Sequence, residues 1–268
     1  MSTGIGIVGG MALLITAIFM GGGLRVFLNL EAVMITLGGT VAATLISYPL
    51  QRLLKFFVLV IQLFKEQRQP VFEQTVTRLV GLGHKASQDT IFSLEKEAKA
   101  EKNRYLKAGL QLLVQDAPAS RIARRFALEV QGVKSRHQEG IQLFSFMSRI
   151  APSLGLVGTL IGMINMLRGM GAEVSPETLG PNMAVALVCT LYGCLFAFFL
   201  FLPASEKLKA YSSQEQALIH MIQEGLLLIR EGRTGREMEE TLNAYLPPVK
   251  RQSIVEKLLL GSKSEPKR

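Results

Sequence analysis

Charge is scarce in this chain of 268 residues, and four long stretches lack it altogether. Charged residues make up 19% of the sequence against 49% for the apolar set, and the mean hydropathy is +0.29. A soluble domain of this size normally carries about a quarter charged residues, so a membrane protein is the first expectation. Two cysteines are too few for a disulfide framework. The three histidines, His84, His137 and His220, have no metal-site spacing. Tryptophan is missing, and the composition is too apolar for a disordered chain. The long segment between the second and third of these stretches shows no alternating strand pattern and no Asn-Gly hairpin signal, and with apolar stretches of helix-spanning length an all-α membrane protein is the expected class.

The uncharged stretches cover residues 1–24, 32–51, 150–167 and 178–205. A helix rising about 1.5 Å per residue needs roughly 17–25 apolar residues to cross hydrocarbon, so each stretch is long enough to span. The first has no basic residue ahead of its apolar run and no convincing small-residue cleavage site, so it is expected to remain as a helix rather than serve as a secretory signal. Four transmembrane helices follow.

Charge placement sets their orientation. Residues 51–149 hold 17 Lys and Arg, and residues 206–268 hold 11, whereas the two short connectors hold only Arg25 and Arg168. By the positive-inside rule the long loop, the tail and both termini are cytoplasmic. The formal charge of +9 is therefore topological: it is spread over cytoplasmic loops rather than gathered in a patch, which argues against a nucleic-acid partner.

The expected layout is transmembrane helices 1 and 2 in 1–50, a cytoplasmic helical domain in 51–142, transmembrane helices 3 and 4 in 143–205, and a cytoplasmic helical tail in 206–268. Within the loop, residues 71–82, 91–113 and 120–133 place apolar side chains three or four apart with charges between them. Residues 117–120 (APAS) mark a break, with Ser120 able to cap the next helix. The fourth span is expected to run on as a polar helix to about residue 230, and residues 261–268 to fray.

In the third span Pro152, Gly155, Gly158, Thr159 and Gly162 fall within roughly 120° of one helix face. Small residues on one face let another helix approach closely. Pro152 removes a backbone donor one turn into the span and can kink it. Two readings of this face stay open: ordinary helix packing, with Thr159, Cys189 and Thr190 bonded to their own helices, or a polar path for a cation lined by Thr159 and Thr190 at matching depth. None of the four stretches contains Asp, Glu, Lys, Arg or His. Ion relays in membranes ordinarily need such a group at depth, so a partner chain must supply the carboxylate if ions cross here. No nucleophile, base and orienting group converge, so an enzyme is not expected.

Residues 151–162 (APSLGLVGTLIG), 179–193 (LGPNMAVALVCTLYG) and 202–209 (LPASEKLK) together resemble the signature of the MotA/PomA family, the flagellar motor stator subunits of the MotA/TolQ/ExbB superfamily. Residues 37–40 (LGGT), 109–112 (GLQL) and 136–137 (RH) are similar to further landmarks of that family. Four spans with a large insertion between the second and third favour MotA/PomA over the three-span TolQ and ExbB types. An ExbB/TolQ-like energiser of another envelope complex is the alternative.

The resemblance implies a homo-oligomer in the bacterial inner membrane, a pentameric ring around a MotB/PomB-like single-span, peptidoglycan-binding subunit. It further implies coupling of inward H⁺ or Na⁺ flow to torque on the rotor protein FliG. No cofactor or resident metal is implied, only the transported cation. Residue by residue, Thr159, Thr190, Cys189 and Pro152 match ion-path positions, and Pro152 and Pro203 match mechanical prolines. Gly155, Gly158 and Gly162 are expected to pack against the partner. Thr159 leans toward sodium, and Cys189 weakens that lean because a second threonine is common there. Ser93-Leu94-Glu95 resembles the rotor-facing acidic element. Its basic companion is expected at 87, where this chain has Ser87, with Lys85 displaced by two. Both charges also fit a solvated helix face.

Overall fold

The computed structural model describes residues 2–20, 27–55, 58, 72–169, 176–233 and 235–251. Every regular element among the described residues is helical. The fraying expected at 261–268 lies outside them. The chain divides into two compact units, one of Met1–Arg68 with His137–Ala210 and one of Gln69–Arg136 with Tyr211–Arg268.

In the first unit, α1 runs over Ser2–Met20. Next comes α2, Leu30–Ser47, which contains a π turn at Met34–Gly38. The Asn29 side chain accepts from the Ala32 N–H at 3.0 Å and so opens α2. Pro49 closes it by forcing Tyr48 into an extended conformation. Thr36, Thr40 and Thr44 form one fully buried stripe on α2. Their hydroxyls donate to the carbonyls of Ala32, Thr36 and Thr40 at 2.6, 2.5 and 2.6 Å, so each polar group is satisfied within its own helix.

The second unit begins with α3, Phe72–Gln88. A 3₁₀ turn at Ile91–Leu94 leads into α4, Glu95–Ala100, and then α5, Arg104–Val114. The helix expected across 91–113 is thus broken at 101–103. Glu101 is extended there, and Asn103 caps α5 by accepting from the Tyr105 and Leu106 N–H groups at 2.9 and 3.2 Å. The 51-residue α6, Ala119–Gly169, starts on the Pro118 carbonyl, which accepts from Arg121 and Ile122, so Ser120 lies inside the first turn and does not cap it. The core of this unit is aliphatic and aromatic, with Leu79, Leu94, Leu106, Leu110, Leu113, Ile122 and Phe126 buried against Ile222, Leu226 and Met238.

Two long helices supply residues to both units. The first is α6. The other is a continuous run of α7, Pro176–Leu195, a π turn at Phe196–Phe201, and α8, Leu202–Arg230. The expected continuation of the fourth apolar stretch into a polar helix ending near residue 230 is therefore what the structure shows. A short α9, Arg236–Asn243, follows. Among the described residues three helices are long and apolar enough to cross a membrane: Leu30–Ser47, Ala119–Arg168 and Gly180–Arg230. In α1 the apolar part, Val8–Met20, is shorter. The rest of the first uncharged stretch, residues 21–24, lies outside the described residues.

Candidate functional site

The third and fourth apolar stretches meet inside the first unit, and glycine sets how closely. A Cβ on Gly155 would stand 2.9 Å from the Cys189 carbonyl oxygen and 3.1 Å from the Thr190 Cα. On Gly162 it would stand 2.9 Å from the Asn182 carbonyl oxygen, and on Gly193 it would stand 2.7 Å from that of Ala151. These are backbone contacts, so no rotamer change could relieve a larger side chain. Gly155, Gly158 and Gly162 therefore face α7 of this same chain, whereas the expectation was for a partner's helix on that face. Cys189 is buried with its sulfur in the hollow at Gly158, where an added Cβ would be 2.6 Å from Sγ. It fills space there. It is not among the groups bonded to the hydroxyl pair described next.

The close approach brings Thr159 and Thr190 together. Their hydroxyls are in direct hydrogen-bond contact. Thr159 Oγ1 also lies 3.2 Å from the Gly155 carbonyl and 3.0 Å from that of Ala186 on the facing helix, and Thr190 Oγ1 lies 3.4 Å from Gly155 O. Two hydroxyls and two carbonyls thus converge. Each hydroxyl has a single proton to donate, so acceptor oxygen is in surplus. All four oxygens are neutral and hard, the donor type that suits a small cation or its water shell but does not balance its charge.

Pro152 lies half-buried within α6, which continues through it unbroken. Its neighbour across the contact is Gly193, whose added Cβ would be 3.2 Å from the Pro152 Cα, so the proline lies within the close contact with α7. Pro203 does not end the fourth helix. It is the second residue of α8, with Leu202 between it and the π turn.

The charged candidates lie in the second unit, and the structure pairs them differently from the sequence expectation. Lys85 Nζ donates to Glu97 Oε1 at 3.1 Å, and Arg78 Nη2 donates to Glu97 Oε2 at 2.6 Å. Arg78 Nε reaches Glu101 Oε2 at 3.2 Å. Hydrogen bonds from Lys85 first and Arg78 second hold the Glu97 carboxyl below the usual carboxylate range. Glu95 is exposed and pairs along its own helix with Lys99 at 2.7 Å. Ser87, which stands at the expected basic position, donates to the His84 carbonyl at 2.7 Å. Sequence reasoning missed Arg78 and Glu97. The spacing of Arg78 and Lys85, seven apart and so on one face of α3, was the available signal. The same unit carries a second tie in which the Tyr105 hydroxyl donates to Glu215 Oε1 at 2.5 Å and Arg104 stacks over the Tyr105 ring. Burial, reinforced by Glu215, pushes that phenol up to about 12. No group of three or more His, Cys, Asp or Glu able to hold a metal occurs among the described residues.

Helices of spanning length and apolar composition fit a membrane protein, and residues 97–221 match the MotA/TolQ/ExbB proton channel family. The chain is 32% identical to motility protein A of Cereibacter sphaeroides over 89% of its own length and 92% of that protein's. It is 33% identical to motility protein A of Borreliella burgdorferi, covering 92% and 94%. Among solved structures it is similar to the flagellar MotAB stator complex from Bacillus subtilis, with a TM-score of 0.85 and 30% identity over 94% of this chain and 98% of that one. The chain belongs to the motility protein A (MotA/PomA) family, the stator subunits of the flagellar motor.

Proposed function

We propose that this stator subunit couples the inward flow of H⁺ or Na⁺ to rotation together with a MotB/PomB-like single-span subunit anchored to peptidoglycan. The observation that carries the reading is the oxygen cluster at Thr159 and Thr190, which offers a cation ligands but no charge. A carboxylate from the partner's helix completes the site and carries the ion, driven by about 2.3 kcal/mol per charge for each 100 mV of membrane potential. The chain itself catalyses no covalent reaction.

In this reading the chain crosses the inner membrane four times, at 1–24, 32–51, 150–167 and 178–205. Both termini, residues 51–142 and the tail at 206–268 are cytoplasmic, which accords with 27 of the 30 basic residues. Several copies, five in the full ring, surround the partner's helices. Gly155, Gly158 and Gly162 hold α6 against α7 so that the oxygen cluster keeps its shape, and Pro152 keeps the backbone yielding at the same level. In the cytoplasm the Glu95 region, with the Arg78, Lys85 and Glu97 cluster behind it, faces the rotor protein FliG.

The test is to co-express the chain with its partner in a stator-deleted cell and to measure swimming speed with the sodium gradient and the proton gradient collapsed in turn. Speed that follows one gradient identifies the cation. Rotation that persists with both collapsed sinks the proposal. A current through vesicles holding this chain alone would equally sink it, because the charge-balancing group would then not be the partner's.

A further inference from the structure

The fourth apolar helix changes hydrogen-bond register just before Pro203. Phe196–Phe201 is a π turn that ends with the Leu202 N–H donating to the Ala197 carbonyl five residues back. Pro203 has no N–H, and in an α-helix its ring would strike the carbonyl four residues earlier, that of Phe199; the widened turn relieves this clash. The turn buries Ala197 and Phe201 but leaves Phe198 and Leu200 exposed. Against its Phe199 ring lies Gly10 of α1, where a Cβ would stand 2.7 Å from the ring edge.

Immediately after the proline the helix is anchored differently. Ser205 is 3% exposed and donates Oγ to the Ile141 carbonyl of α6 at 3.1 Å. Ala204 and Leu208 are buried around it in one cluster with Leu143, Phe144 and Met147. A turn bonded five residues back, with no N–H at Pro203, is thus followed within four residues by a cross-helix bond set in apolar packing, where a hydroxyl without an acceptor is costly.

We propose that Ser205 is a positioning residue: its bond to Ile141 is the fixed point of α8 on α6, about which the π turn at Phe196–Phe201 bends. The device is local to the first unit, and its use in converting cation movement into motion rests on the stator reading above. Without the bond, α8 slips against α6 when the turn flexes, and movement of the fourth helix is dissipated.

Amide hydrogen exchange on the purified full-length chain with its partner tests the device itself. In the parent, amides at 196–202 are expected to exchange about tenfold faster than those at 204–210. Ser205→Ala is expected to raise exchange at 204–208 about fivefold, and Ser205→Cys, close in size with a weaker donor, to fall between. Equal protection on both sides of Pro203, or no change in Ser205→Ala, overturns the proposal. The second arm measures motor torque under load alongside cation flux at matched membrane levels. Ser205→Ala should lower torque while flux holds; parallel loss of both, or unchanged torque, removes Ser205 from the coupling. If the parent drives neither flux nor rotation, the stator reading fails, and the exchange result still decides the pivot.

Discussion

Along α6 in the first unit the outward residues are Leu156, Leu160, Ile164 and Leu167, each 48–60% exposed, while the fully buried residues of the neighbouring α2 include Thr36, Thr40 and Thr44. In the second unit the arrangement is reversed. Leu79, Leu110 and Ile122 are fully buried, and the surface carries Arg78, Glu97, Lys99 and their partners. The difference is the one expected of a unit facing lipid and a unit facing water, as in the topology proposed above. Lipid rewards apolar side chains on the outside and leaves helix association to close packing and satisfied polar groups. Water rewards an apolar interior and makes exposed ion pairs worth little.

The comparison can be broken most forcefully at the glycines. Gly193→Val in the first unit drives a branched side chain into the Ala151 carbonyl, and it should abolish swimming and destabilise the helix pair by about 3 kcal/mol. Motility plates and the thermal midpoint of the purified chain would reveal this, and normal motility would mean that α6 and α7 do not meet as described.

In the second unit the sensitive change is instead loss of volume. Leu110→Ala should destabilise by about 2–5 kcal/mol in denaturant or thermal unfolding. The same truncation at exposed Leu160 should cost under about 0.5 kcal/mol in detergent. Similar losses at both positions would erase the contrast.

Thr190→Val keeps the shape and removes one oxygen of the cluster. The expected result is a fall in cation flux of about tenfold with membrane levels unchanged, since a lost bond to an ion is worth roughly 1.5–3 kcal/mol. Unaltered flux would return both threonines to plain packing.

The smallest effect concerns acid. The depressed Glu97 group adds stability above its usual 4.5 that disappears as pH falls through the lower folded value. The second unit should therefore keep a flat thermal midpoint from pH 7 to 5 and weaken below that. Glu97→Gln should remove this slope at a cost of about 0.5 kcal/mol, because the pair is partly exposed.

Much of this contrast is legible in the bare sequence because lipid and water impose different patterns. The uncharged stretches and the 3.6-residue periodicity mark the long helices, and the run from the fourth stretch to Arg230 follows from the absence of any breaker after Pro203. The π turns at Met34–Gly38 and Phe196–Phe201 leave no such trace, since one extra residue in an all-apolar segment changes no pattern. The break at 101–103 is hidden because Lys102 and Asn103 look like one more polar face of a helix. Matching depth makes a meeting of Thr159 and Thr190 one of two readings, and spacing alone does not choose between them. That the three glycines of α6 face α7 cannot be anticipated, because a face of small residues does not name its neighbour. Lys85 was within reach as a charged candidate, but its true partner, Glu97, depends on how α4 lies beside α3.

The threonine stripe of α2 has a mechanical corollary. Thr36, Thr40 and Thr44 are fully buried yet all spend their protons on their own backbone, so this stripe of α2 packs without donating a bond to a neighbour. Such a rod has no side-chain donor in this stripe to strand if it shifts against an adjacent helix.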